Sequence, residues 1–139
     1  MYLLDTNVIS EFRKVRTGKA DLNVARWSRE VPGASLYLSA VVVQELAIGT
    51  LQMERKDPVQ GAVLRNWLDE HVIPMFHNRI LPVDTAVARR SAMLHVPNPR
   101  PYADSFIAAT ALVFGMTLVT RNVTDFEKTG VTLLNPWEG

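Results

Sequence analysis

The chain contains no cysteine. That alone excludes disulfide frameworks and thiolate metal sites, and it suits a cytoplasmic protein. Long apolar runs are also missing, since no stretch approaches the ~18 residues a membrane-spanning helix needs. A carboxylate at Asp5 argues against a secretory leader. There is no Gly-rich phosphate loop, nucleophile elbow or dinucleotide fingerprint. Charge excess is absent as well: a net charge of +1 and a pI near 8.1 do not by themselves mark a nucleic-acid partner. Any such case must rest on where the charges sit. The three histidines, His71, His77 and His95, share no metal-ligand spacing and suit surface or capping roles.

What is present is an ordinary globular composition, 47% hydrophobic and 21% charged over 139 residues. This length fits one domain, residues 1–139, with a sizeable core. The chain opens on Tyr2-Leu3-Leu4, a continuous apolar run of the kind found in strands buried on both faces, and ends it abruptly in Asp5-Thr6-Asn7. Further strands are expected at Leu36–Leu38, Arg79–Val83, Thr117–Val119 and Val131–Leu134.

Helices are expected between them. A short one covers Val8–Phe12, and Asp21 caps Asn23–Val31, which Pro32-Gly33 stops. Ser39 caps Ala40–Gln52, whose stretch Val41–Ile48 is apolar nearly all round and so reads as largely buried. Asp57-Pro58 opens Val59–Val72, which Pro74 should end. Asp84 caps Thr85–Leu94, and Tyr102–Phe114 stops at Gly115. The β-α alternation predicts an α/β fold with a five-stranded, mainly parallel sheet and helices on both faces.

Four acids stand out: Asp5, Glu45, Asp104 and Asp125. Asp5 and Asp125 lie at or just past the carboxyl ends of apolar strands, where open α/β sheets form their crevices. Glu45 is one charge in an apolar helix, costly to bury unpaired. Asp104 stands at the start of an alanine-rich helix, where the helix dipole favours its ionised form. Each has a structural alternative. Asp5 and Asp104 suit helix starts, Asp125 suits a turn, and Glu45 has a potential partner in Arg121. Taken jointly, four carboxylates converging on one sheet edge repel one another unless a divalent cation lies between them. All-oxygen ligation without cysteine suits Mg²⁺ or Mn²⁺ rather than zinc.

Leu3-Leu4-Asp5-Thr6-Asn7, the helix Ser39-x5-Glu45-Leu46, Asp104-Ser105-x-Ile107-Ala108-Ala109-Thr110-Ala111 and Thr120-Arg121-Asn122-x-x-Asp125-Phe126 together resemble a PIN domain. Their order and spacing are similar to VapC-type ribonuclease toxins of toxin–antitoxin pairs and, with the ending Leu133-Leu134-Asn135-Pro136-Trp137, to the FitB-like branch among them. The resemblance covers essentially the whole chain.

It implies a three-layer α/β/α fold and an endoribonuclease dependent on Mg²⁺ or Mn²⁺. It further implies a homodimer and a small cognate antitoxin that binds DNA. By position, Asp5, Glu45, Asp104 and Asp125 match the family's metal-site acids. Asn7 and Asn122 match supporting polar positions, with Thr120 as a further one. Asp5 and Asp104 are the expected direct ligands, while Glu45 and Asp125 ligate through water or hold a second ion.

The basic run Arg13–Lys19, with Arg13, Lys14 and Arg16, and the separate Arg100 are candidate contacts for RNA phosphates, with a solvated loop as the alternative. One departure is the loop Pro97–Pro101, proline- and arginine-bearing where many relatives carry small residues. Rival readings fit less well. A dehalogenase-type phosphatase needs an acid where Asn7 stands, and a receiver domain needs a lysine that Lys128 is poorly placed to supply. A non-catalytic PIN-like binding module would be expected to have lost one or more of the four acids.

Overall fold

The apolar runs Tyr2–Leu4 and Thr117–Val119 become the paired strands β1 and β4 of the computed structural model, which describes Met1–Gly139. With β2 (Leu36–Ser39), β3 (Ile80–Leu81) and β5 (Leu133–Leu134) they form one sheet in the order β3-β2-β1-β4-β5. Every pairing is parallel. Leu3 and Leu4 are both fully buried. Successive strand residues point to opposite faces, so helices must cover both sides of the sheet, as expected.

The chain steps outward from β1 through β2 to β3, then returns to the other side of β1 as β4. Reversal at this point opens a crevice beyond the carboxyl ends of β1 and β4. Leu4 pairs with Val119, so Asp5 and Thr120 leave the sheet side by side. The Asp5 N–H still donates to the Val119 carbonyl at 2.9 Å.

Helix α1 (Thr6–Phe12) starts two residues earlier than the sequence pattern suggests, because Asp5 caps it by accepting from the Thr6 N–H. Asp21 caps α2 (Leu22–Glu30), and Ser39 caps α3 (Ala40–Lys56). Trp27 of α2 packs edge-on against Tyr2 at 5.5 Å and beside Phe12, and so belongs to the core rim. Helix α3 runs four residues past Gln52 and is not buried all round. Its buried stripe holds Val42, Leu46 and Thr50, while Ile48 and Leu51 are 46% and 54% exposed.

A single residue, Asp57, turns the chain into α4 (Pro58–Trp67) and caps it. This helix does not stop before Pro74 but passes through a π turn, Leu68–Val72, into α5 (Ile73–Met75). The reason lies in the missing donor. In the π turn the Ile73 N–H bonds back to Leu68, which shifts the ladder by one residue and lets Pro74 follow in helical geometry. Leu68, Val72 and Phe76 are buried along this segment and hold it against the core.

Asp84 caps α6 (Thr85–Leu94), and Gly115, at φ +65°, ends α7 (Tyr102–Phe114). The alanines of α7, Ala108, Ala109 and Ala111, are fully buried, which lets this helix approach its neighbours closely. No helix is long and apolar enough to cross a membrane.

Gly61 marks the closest approach of α3 and α4: a Cβ placed there would lie 2.5 Å from the Glu54 Cα. In an open helix, alanine would stabilise by ~1 kcal/mol over glycine. Here Gly61→Ala must push two backbones apart, and a net loss of about 1–3 kcal/mol is expected from urea unfolding. An unchanged or raised stability would show that the two helices separate freely.

Candidate active site

Asp5, at the end of β1, is 7% exposed and held on both oxygens. Oδ1 accepts from the Thr6 N–H at 2.8 Å, and Oδ2 accepts from the Thr120 hydroxyl at 2.8 Å and from Asn7 Nδ2 at 3.4 Å. Thr120 is fully buried, and its hydroxyl in turn accepts from the Asn122 N–H at 3.0 Å. The Asn7 carbonyl oxygen accepts from the Arg121 N–H at 3.3 Å. Asp5 is therefore a helix cap and the centre of a polar network that ties β1 to the turn after β4. The two readings do not exclude each other.

Glu45 lies on α3, half-buried, and accepts a 2.6 Å hydrogen bond from the Thr6 hydroxyl. Its potential partner Arg121 lies elsewhere, 5.2 Å from the centroid of the Trp137 ring. Thr6 thus links two acids, its N–H on Asp5 and its hydroxyl on Glu45. Nothing in the sequence ties position 6 to position 45, so only the tertiary fold reveals this role. Asp104 stands in the first turn of α7. Asp125 is exposed in a 3₁₀ turn, Val123–Phe126.

The charges of these four acids act on one another. Burial pushes the Asp5 carboxyl above its ordinary value; the bonds from Thr120 and Thr6 oppose this, and the charges of Glu45 and Asp125 add to it. Asp104 is also raised, by burial first and then by Asp5, Asp125 and Glu45, with Arg100 pulling the other way. Asp5 and Glu45 are joined directly through Thr6, whereas Asp104 and Asp125 act on Asp5 and on each other through their charges alone.

The donor set, all oxygen and mutually repulsive, fits a hard divalent cation. As the side chains stand, no three of them surround a common point at ligating distance.

Asn7 and Thr120 bond Asp5 directly, whereas Asn122 contributes its main-chain N–H. Arg13 and Lys14 line a groove of about 330 Å³ that reaches Glu45 and Thr6. Arg13 stacks over Trp67 at 5.8 Å, Lys14 pairs with Glu11 at 3.1 Å, and Arg16 is exposed. A second depression of about 200 Å³, between α2 and the C-terminal turn, contains none of the four acids. Arg100 turns its guanidinium to main-chain carbonyls.

A PIN-domain family model matches residues 2–131. The chain belongs to the PIN-domain family. Among its relatives, plasmid stability protein StbB of Pseudomonas syringae pv. tomato is 38% identical over 146 residues, 99% of each chain. The VapC ribonuclease Y4jK of Sinorhizobium fredii is 36% identical, again over 99% of each. The crystal structure of FitAcB from Neisseria gonorrhoeae superimposes with a TM-score of 0.89 at 33% identity, covering the whole of both chains. The resemblance carried by the acid motifs thus holds for the chain as a whole.

In this PIN domain, Asp5 and Asp104 bind protons more tightly folded than unfolded. Their contribution to stability is therefore fully present below the ordinary carboxylate value of 3.8 and is lost as pH rises through the raised folded values. In chelator at neutral pH, Asp104→Asn should leave the protein as stable or more stable, by on the order of 1 kcal/mol after solvent screening at this half-buried site. That gain should shrink as pH falls into the carboxylate range. A large loss at neutral pH in urea unfolding would make Asp104 a structural cap instead.

Proposed function

We propose that the chain is a metal-dependent endoribonuclease toxin of a toxin–antitoxin pair, acting in the cytoplasm. The observation that carries this reading is the placement of Asp5 at the β1–β4 switch point, held by Thr120 and joined through Thr6 to Glu45 of α3. The relatives named VapC ribonuclease and toxin FitB support it.

Asp5 and Asp104 would hold Mg²⁺ or Mn²⁺, with Glu45 and Asp125 completing the site. Bound there, the cation supplies polarisation of water and compensation of charge on phosphate oxygens. The bonds from Thr120 and the Thr6 N–H favour the ionised form of Asp5, opposing the push from its burial. The Thr6 hydroxyl bonds Glu45, and Arg13 and Lys14 along the groove, with the exposed Arg16 beyond it in sequence, offer positive charge to an RNA backbone. Hydrolysis by activated water requires no side-chain nucleophile, in keeping with a chain that lacks cysteine.

An open nuclease of this kind needs a cover. The structure of FitAB bound to a DNA fragment, whose toxin chain is 33% identical, supports a small DNA-binding antitoxin as partner. A homodimer is what the family resemblance implies. A cationic side chain of that partner matches the acidic cluster, and a guanidinium can bond two carboxylate oxygens at once.

Purified protein should cleave members of a panel of structured RNAs with Mg²⁺ or Mn²⁺ and leave all of them intact in EDTA. Asp104→Asn should lower the rate by ~100-fold or more, the scale on which enzymes lose a well-placed electrostatic group. Undiminished cleavage in chelator, by protein free of contaminating nuclease, would refute the metal dependence.

A further inference from the structure

Three segments of main chain meet at the side chain of Arg100. It lies in Val96–Pro101 between α6 and α7, where three of six residues are prolines that have no N–H to donate. Its Nε donates to the Leu94 carbonyl at the end of α6, at 3.2 Å. Nη1 reaches the Asp125 carbonyl and Nη2 the Glu127 carbonyl, each at 3.4 Å. All three guanidinium nitrogens are thus turned to protein carbonyls, and the residue is half-buried.

The main chain of the same residue is fixed as well. The Arg100 N–H donates to His95 Nδ1 at 3.3 Å. A neutral imidazole accepting there carries its proton on Nε2, which faces the Ser105 hydroxyl at 3.0 Å. Ser105 Oγ donates to the Tyr102 carbonyl at 2.8 Å and accepts from Ser91 Oγ at 2.9 Å. Ser91 and Ser105 are buried, and Ser105 is the neighbour of Asp104 in the first part of α7. Arg100 is therefore bonded at one end to the network beneath Asp104 and at the other to the turn that carries Asp125. No other side chain bonds both sides of this gap.

We propose that Arg100 is a positioning residue of the acidic site, which ties the Asp125 turn to the start of α7 and so sets how Asp125 stands relative to Asp104. This displaces the phosphate-contact role that its charge suggests from sequence. It rests on the reading of the four acids as a cation site. A planar fork with donors on three nitrogens can bridge carbonyls of separate segments, whereas the point charge of lysine cannot. The guanidinium charge also favours ionised Asp104, opposing the push from its acidic neighbours.

The test measures Mn²⁺ binding to the full chain by the loss of free-ion electron paramagnetic resonance signal, for wild type, Arg100→Gln and Arg100→Lys. Binding of fluorescent oligo(U) in EDTA is followed over a range of salt concentrations, and urea unfolding establishes that each variant folds. Both variants are expected to bind Mn²⁺ about tenfold more weakly, the scale on which metal sites lose affinity when a ligand's support is removed. Their oligo(U) affinity and its salt dependence should match wild type. If Arg100→Gln fails to fold, the lysine variant decides.

A folded Arg100→Lys protein with wild-type Mn²⁺ affinity overturns the proposal. So does loss of oligo(U) affinity with a salt slope smaller by ~0.7, the mark of one lost phosphate contact on a single strand. A wild-type chain that takes up no Mn²⁺ would instead overturn the cation reading itself.

Discussion

The register of β1 against β4 is the constraint on which the site depends. With Leu4 opposite Val119, the chain delivers Asp5 and Thr120 to the same point, beyond the last pair of a sheet buried on both faces. A carboxylate there is costly, and burial indeed raises its affinity for a proton. The structure answers with two close hydrogen bonds, from the Thr120 hydroxyl and the Thr6 N–H, rather than with an opposing charge. A slip of one residue in this pairing would turn Asp5 toward the other face and dismantle the network.

The remaining acids arrive by different routes and are held with different stiffness. Glu45 comes from the middle of α3, fixed by Thr6. Asp104 comes from the first turn of a helix whose buried alanines seat it firmly. Asp125 comes from an exposed turn, and its carboxylate makes no hydrogen bond within the chain. Such a site keeps mutual repulsion in the folded protein, which the proposed cation would relieve. On that proposal, the cost in stability without metal and the affinity for metal would be two sides of one electrostatic arrangement.

Much of this was legible in the sequence because it rests on local patterns. Continuous apolar runs marked all five strands, although β3 and β5 proved shorter, and the cap residues Asp21, Ser39, Asp57 and Asp84 placed helix starts. The four acids stood out against apolar surroundings. The misreadings arose where long-range packing overrode local preference. Pro74 sits within a helix because a π turn removes the need for its donor, and α3 exposes Ile48 and Leu51 because only one stripe meets the core. The bonds of Thr6 and Arg100 were invisible in the sequence, since each joins positions that only the fold brings together. Charge suggested an RNA contact for Arg100; the fold adds its bonds to main-chain carbonyls, on which the proposed positioning role rests.

The proposed binding of a divalent cation by the four carboxylates at the β1–β4 switch point can be read from anomalous diffraction of crystals equilibrated with Mn²⁺. A density peak is predicted among Asp5, Glu45, Asp104 and Asp125, with carboxylate oxygens of Asp5 and Asp104 at roughly 2.0–2.3 Å, as for hard cations with oxygen ligands. Saturating Mn²⁺ that gives no peak there, or one bound only at other carboxylates, would contradict it.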